Sequence, residues 1–220
     1  MPNWVYNGLT AQGPKESVYK MKAQLNTPFV DYIEANGDLA YGIKQTKYSN
    51  PVFSFRNIIA PTDLEAYKKQ PNFEDRGNDD SWYNWNIRNW GVKWDVAVSN
   101  DNKHPETYME EFEDEWTASV YYNFNTAWGI PLPALIALSS QYPDLLFTLS
   151  YEEETGWGGE MELLRGTVIS DNQYGWKCRE CEHTEEDTPY CEECEYDMCP
   201  SCGWGEPSET CNVHKEKVEA

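Results

Sequence analysis

The sequence of 220 residues predicts an α+β fold with a small metal-binding module at its end. Two observations support this prediction. Segments with alternating apolar residues are interrupted by segments with helical spacing, and all seven cysteines lie between Cys178 and Cys211. We therefore expect a core domain over residues 1–172 and an acidic two-zinc module over residues 173–220.

The first segments read as a strand followed by a helix. Residues 1–10 mix aromatic and polar side chains in the manner of a strand. Residues 15–25 then place Val18, Met21 and Leu25 at helical spacing, which predicts a helix that lays these three side chains on a sheet.

The middle of the core is less regular. Residues 51–59 alternate and predict a strand, and Thr62 is a plausible N-cap for a short helix through residue 67. The Trp-rich residues 82–91 fit a helix that ends at Gly91. Helical spacing favours indole rings in the core, and a ligand-stacking surface is the alternative.

The next two segments are read as a strand and a connection. Residues 94–98 predict a further strand. Residues 100–115 read as a hydrophilic connection with an acidic run, which is either solvated or faces a partner: Glu110, Glu111, Glu113, Asp114 and Glu115.

The last core segments are the most regular. Residues 116–124 alternate as a half-buried strand, residues 133–141 form a helix behind two prolines, residues 145–151 form a strand, and residues 157–169 add one or two strands. The resulting order, strand, helix, strand, strand, helix, strand, is that of a ferredoxin-like antiparallel sheet with helices on one face.

The cysteines have the spacing of structural zinc ligands. Three C-x2-C pairs and a final C-x2-H pair provide eight ligands, enough for two tetrahedral ions with no open position: Cys178, Cys181, Cys191, Cys194, Cys199, Cys202, Cys211 and His214. A disulfide framework is disfavoured by the odd cysteine count and the lack of a signal peptide. We therefore expect two structural Zn²⁺ ions and a cytoplasmic location.

The charge is strongly acidic, with 38 Asp and Glu against 17 Lys and Arg, a net charge of −21. Such a field repels phosphate backbones, so direct nucleic-acid binding is disfavoured and a basic partner is favoured. No apolar run is long enough to cross a membrane. The sequence has no nucleophile elbow, P-loop or zinc-protease motif, so we expect a non-enzymatic protein.

Several core segments resemble the YubB ferredoxin-like family of phage and plasmid proteins. The similar segments are residues 1–4, 89–95, 126–131, 137–144 and 151–159. Val5 departs from that family, which often has Cys there, as does the sequence of residues 128–131. The resemblance implies a ferredoxin-like fold and a mobile-element origin, and it implies no catalytic residues.

Residues 190–202 resemble a ZZ-type zinc finger, with the triplet Tyr196-Asp197-Met198 between two C-x2-C pairs. The resemblance implies crossed pairing, in which the first and third ligand pairs share one ion and the second and fourth share the other. The last pair departs from the usual two histidines, so consecutive pairing stays open.

Three hypotheses for function follow. The first is an interaction protein that interferes with a host defence function, whose acidic module binds a basic host protein or peptide through Asp197, Glu193 and Glu195. The second is an acidic nucleic-acid mimic that blocks the groove of a host nuclease or defence complex. The third is binding of single-stranded RNA or DNA through aromatic side chains on the sheet.

Overall fold

A computed structural model describes residues 3–31, 46–48, 51–69, 80–96 and 108–177, and the short strands at residues 184–185, 190–191 and 196–197. The chain divides into two compact units. One comprises residues 1–154 and 160–172, and the other comprises residues 155–159 and 173–220.

The first unit is built on a six-stranded sheet in the order β4-β5-β1-β6-β7-β8. The strands are β1 (Trp4–Pro14), β4 (Tyr108–Glu113), β5 (Thr117–Ala127), β6 (Leu146–Glu153), β7 (Gly158–Leu164) and β8 (Thr167–Tyr174). A separate antiparallel pair joins β2 (Phe29–Asp31) to β3 (Thr46–Tyr48).

Within the described residues, four α-helices accompany the sheet: α1 (Lys15–Leu25), α2 (Leu64–Tyr67), α3 (Trp82–Asn89) and α4 (Leu132–Gln141). Strand β1 pairs antiparallel with both β5 and β6, and β4 pairs antiparallel with β5. The series β1-α1-β4-β5-α4-β6 therefore has the ferredoxin-like order, and β7 and β8 extend it beyond β6. The predicted α+β, ferredoxin-like sheet is confirmed.

The core lies between the helices and one face of the sheet. Its centre is an aromatic cluster in which the rings of Phe53 and Phe124 stack with centroids 5.0 Å apart. The ring of Tyr122 lies 5.1 Å from Phe53, and that of Trp90 lies 6.1 Å from Phe55. All five side chains are buried. Trp82 is buried as well, so the prediction that the indole rings of the Trp-rich segment pack into the core is correct for Trp82 and Trp90.

Two predicted strands are wrong. Residues 51–59 contain a short 3-10 helix, Phe55–Asn57, because the side chain of Asp95 accepts hydrogen bonds from two backbone N–H groups there, Phe55 at 2.7 Å and Arg56 at 3.1 Å. Of the strand predicted over residues 94–98, residues 94–96 form none, since the Asp95 side chain acts as a cap, and residues 97–98 lie outside the described part of the chain.

The second strand of the ferredoxin-like order is instead β4, which lies in the stretch predicted to be a hydrophilic connection. Its six residues include three glutamates, which hide the apolar alternation of a strand. Charged side chains are common on the edge strands of sheets, and β4 is an edge strand here.

The described part of the second unit includes two short antiparallel strand pairs. Strand β9 (Trp176–Lys177) pairs with β10 (Thr184–Glu185), and β11 (Tyr190–Cys191) pairs with β12 (Tyr196–Asp197).

None of the helices in the described residues combines the length and the apolar character needed to cross a membrane.

Candidate interaction surface

The two faces of the sheet differ in burial. Side chains of β1, β5 and β6 that point to the helices are buried, as Leu9, Tyr122 and Leu149 are in one cross-strand row. The alternate side chains point to the other side. We call this second side the open sheet face, formed by Tyr6, Thr10, Gln12, Glu110, Phe112, Ser119, Tyr121, Asn123, Asn125, Thr148, Ser150, Glu152, Glu160 and Glu162.

The strands of this sheet carry acidic side chains and no basic ones. Their sequences contain eight Asp or Glu residues and no Lys, Arg or His. Four of the acids lie on the open sheet face. Glu110 lies opposite Tyr121 and Glu152 opposite Tyr6, and Glu160 and Glu162 alternate with buried residues of β7. The field at this face therefore attracts cations.

Aromatic side chains stand among these carboxylates. Tyr6 is 49% exposed and Phe112 is 60% exposed, both well above the exposure of an aromatic side chain in a core. Trp116, in the turn between β4 and β5, is 76% exposed. Aromatic rings next to carboxylates suit Arg and Lys side chains, whose charged ends form ion pairs while their stems and π-faces pack on rings.

Gly8 leaves room for the ring of Tyr121 to lie against the sheet. A Cβ atom at Gly8 would lie 2.9 Å from the Tyr121 hydroxyl and 3.1 Å from its ring. The Ser150 hydroxyl donates to the Gly8 carbonyl at 3.3 Å, and the Asn123 amide donates to the Tyr121 hydroxyl at 3.3 Å. The absence of a side chain at Gly8 therefore lets Tyr121 lie across β1 as part of the open sheet face.

The turn between β4 and β5 is fixed by Asp114. Its carboxylate accepts hydrogen bonds from the backbone N–H groups of Trp116 at 2.8 Å and Thr117 at 2.7 Å, and from the Thr117 hydroxyl at 2.8 Å. These bonds, first of all the one from the Thr117 backbone, lower the pKa of Asp114. The turn holds Trp116 out into solvent.

The helix-facing acids of β4 are already paired with α1. A cleft of about 230 Å³ lies between these two elements, and Lys22 forms an ion pair with Glu111 across it. The Tyr19 hydroxyl donates a hydrogen bond to Glu113, which raises the pKa of Tyr19 and lowers that of Glu113. Lys15 also lies 3.6 Å from Glu113. These acids are neutralised internally and stabilise the edge strand.

The predicted zinc ligands cannot be placed in the same way. Cys191 ends β11, and its side chain is outside the described part of the chain, as are the other seven predicted ligands entirely. Within the described residues, no group of three or more His, Cys, Asp or Glu side chains is placed to hold a metal. The two-zinc module at residues 173–220 stays a prediction.

The predicted partner contacts lie in the same region. Asp197 belongs to β12, where its backbone is opposite Tyr190 of β11. Glu193 and Glu195 lie between these strands and outside the described residues.

The sequence indicates two separate parts of the open sheet face. The acidic run at residues 110–115 is one candidate partner-facing patch, and the aromatic side chains of the sheet are another candidate binding surface. Placing them on one face needs the position of β4, which the sequence pattern concealed. The lack of Lys, Arg and His in the strand sequences is a signal that can be read once strand bounds are known.

One family model and one solved structure match this chain. Residues 93–192 match the model of a family described as the ferredoxin-like domain in Api92-like protein. The crystal structure of the protein Api92 from Yersinia pseudotuberculosis aligns with a TM-score of 0.46 and 11% sequence identity, over 81% of this chain and 100% of that chain. No curated protein matches the sequence. The region that matches the family model thus runs from the Lys93 turn, through β4 to β10, to the end of β11.

Proposed function

We propose that this chain is a non-enzymatic interaction protein that binds a basic protein or peptide on its open sheet face. One observation carries the proposal: the face combines Glu110, Glu152, Glu160 and Glu162 with exposed aromatic rings, and the six strands of this sheet hold no basic residue. Charge-assisted hydrogen bonds and cation–π contacts to Arg and Lys need this combination.

The same observation argues against nucleic acid as the ligand. Ferredoxin-like domains that bind single-stranded RNA stack bases on sheet aromatics and attract the backbone with basic groups. Here the aromatics are present but the neighbouring charges have the wrong sign. A nucleic-acid-binding protein is one kind of basic partner that would fit, and DNA or RNA would then compete with this chain for it.

The second unit extends the proposal. We infer that residues 178–214 bind two structural Zn²⁺ ions through the seven cysteines and His214, because four ligand pairs at C-x2-C or C-x2-H spacing fill two tetrahedral sites. Asp197, Glu193 and Glu195 would add a second acidic contact for the same partner. The resemblance to the YubB family supports a phage- or plasmid-type setting, with a host protein as the partner.

The test is binding of a fluorescein-labelled arginine-rich peptide to the full chain, followed by fluorescence anisotropy. The variant Glu160→Gln/Glu162→Gln removes two charges from the open sheet face. Its matched control, Glu16→Gln/Glu65→Gln, removes two exposed charges from α1 and α2. The proposal predicts a loss of about tenfold in affinity for the first variant, and less than about twofold for the control.

Equal losses in the two variants would contradict the proposal, because attraction by net charge alone does not depend on where the two charges lie. Raising the salt concentration weakens both the specific and the general attraction, so the comparison is made at a fixed salt concentration near the physiological value.

A further inference from the structure

Two indole rings form the walls of an aromatic cage at one end of the sheet. The ring centroids of Trp94 and Trp128 lie 6.4 Å apart with an angle of 30° between the planes. The Nζ atom of Lys93 lies 4.2 Å from the centroid of Trp94 and 4.4 Å from that of Trp128. Trp4 supports the cage from behind, with its centroid 6.2 Å from Trp94.

The ammonium in this cage has no carboxylate partner among the described residues. The ion pairs of this part of the chain involve Lys15, Lys22, Lys68 and Arg88, and none involves Lys93. Burial between the rings lowers the pKa of Lys93, since the charged form loses hydration there. The two π-faces are thus the groups that stabilise this cation.

The backbone at Trp128 is strained. Trp128 has a φ of +70°, in the left-handed region that a bulky side chain rarely occupies. The Trp128 N–H donates to the Asn3 carbonyl at 2.9 Å, and the Thr126 hydroxyl donates to the Gly129 carbonyl at 2.6 Å, so the turn is held from both sides. Strained residues that surroundings hold in place are concentrated at functional sites.

The turn that carries Trp94, the other wall of the cage, is also held in place by its surroundings. The buried Asn86 donates from its side chain to the Lys93 carbonyl at 2.8 Å and accepts from the Tyr67 hydroxyl at 3.0 Å. Gly91 has a φ of +85°, and a Cβ there would lie 2.6 Å from Cδ of Pro133. The turn that carries Lys93 and Trp94 is therefore packed against the start of α4, and both walls are preorganised.

We propose that Trp94 and Trp128 form a binding site for a quaternary ammonium group, in which the Lys93 ammonium holds the place of the ligand. A primary ammonium in the cage loses hydrogen bonds to water that the rings do not replace. A quaternary ammonium has no N–H to satisfy and is recognised by aromatic cages through its charge. It can displace Lys93, whose long side chain returns to solvent.

The solvent exposure of the cage and the negative charge of the protein both favour a cationic ligand. Trp128 is 48% exposed, so one wall of the cage is open to solvent. The net charge of −21 raises the local concentration of cations around the protein. Binding in the cage does not depend on the proposed peptide binding at the open sheet face, because a small quaternary ammonium compound needs no contact with Glu160 or Glu162.

The test uses choline as the probe and 3,3-dimethyl-1-butanol, its neutral isostere, as the matched control ligand. The full chain is labelled with ¹⁵N, and the indole N–H signals of Trp94 and Trp128 are assigned by single Trp→Phe variants. Choline is expected to shift both signals saturably, with an affinity at least about tenfold higher than that of the isostere, because only choline carries the charge.

Two variants of the cage test the proposal, and a third variant outside the cage serves as the control. Lys93→Ala empties the cage and is expected to raise choline affinity several-fold, whereas Trp128→Ala is expected to abolish the shift of Trp94. Trp116→Ala removes an exposed indole just before β5, at the opposite end of that strand from Trp128, and is expected to leave the choline affinity unchanged. The proposal is overturned if choline gives no saturable shift in either the wild type or Lys93→Ala, or if the isostere binds as tightly as choline.

Discussion

The carboxylate of Asp95 accepts a hydrogen bond of 2.6 Å from the hydroxyl of Ser54, across 41 residues of chain. The same carboxylate accepts from the backbone N–H groups of Phe55 and Arg56. One side chain thus caps the 3-10 helix that delivers Phe53 and Phe55 to the core, and it replaces two strands that the alternation of apolar residues had predicted.

Asp95→Ala removes this cap. We expect the free energy of unfolding to fall by about 2–3 kcal/mol, because four donors, the Ser54 hydroxyl and the backbone N–H groups of Phe55, Arg56 and Val96, lose a charged acceptor together. Urea denaturation followed by Trp fluorescence measures the change. Asp63→Ala, which removes an exposed cap from α2, should cost only about 1 kcal/mol. Equal costs in the two variants would show that Asp95 is an ordinary surface cap.

Gly91 and Gly129 offer a second matched pair. Gly91→Ala places a Cβ at a φ of +85° and 2.6 Å from Pro133, so we expect a loss of about 2–4 kcal/mol in the free energy of unfolding. At Gly129 the nearest atom to a new Cβ is 3.7 Å away, and Gly129→Ala should cost less than about 1 kcal/mol. Denaturant midpoints of the two variants decide the comparison, and a tolerated Gly91→Ala would contradict the packing of this turn on α4.

The stability of the β4–β5 turn should depend on pH through Asp114. Its folded pKa is lowered, so its contribution is present above the unfolded value of about 3.9 and is lost as the pH falls through the folded pKa. We expect Asp114→Asn to have a lower urea midpoint than the wild type at pH 7, and the difference to shrink below about pH 4. A difference that stays constant from pH 7 to pH 3 would rule out this role for the ionised carboxylate.

Metal removal tests the second unit. Zinc analysis of the purified full chain should return about two ions per chain, and Cys199→Ser should lower this to about one, whichever pairing applies. A chelator should change the NMR signals of residues 176–214 and leave those of β1, β5 and β6 in place, because metal supplies the folding free energy of such a module. Less than one zinc per chain, together with titratable thiols, would contradict the two-ion assignment.

The sequence-based prediction of the fold succeeded for the central strands and failed at the edge. Strand β5 alternates less buried and buried residues from Thr117 to Thr126, and α4 buries apolar side chains at helical spacing. The periodicity of the sequence therefore agrees with the fold in both elements. Strand β4 is acidic, and the strand-like residues 51–59 are bent by a side chain 40 residues away. Such long-range capping leaves no local pattern in the sequence.

The candidate surface could be predicted only in part for a related reason. The net charge points to a basic partner, but the acids of β4 divide between two faces. Glu111 and Glu113 pair with Lys22, Lys15 and Tyr19 of α1, whereas Glu110 lies on the open sheet face. Which carboxylates can face a partner is decided by register, and register is set by the whole sheet.

Binding of a basic peptide to the open sheet face is tested most directly by mapping the backbone NMR shifts of the full chain on titration with an unlabelled arginine-rich peptide. We predict that the largest shifts fall on the open sheet face, at Tyr6, Phe112, Tyr121, Glu160 and their neighbours. The buried residues of α4, such as Leu135 and Leu138, should stay unchanged. Shifts confined to residues 176–214, or spread evenly over exposed acids including Glu16 and Glu65, would contradict it.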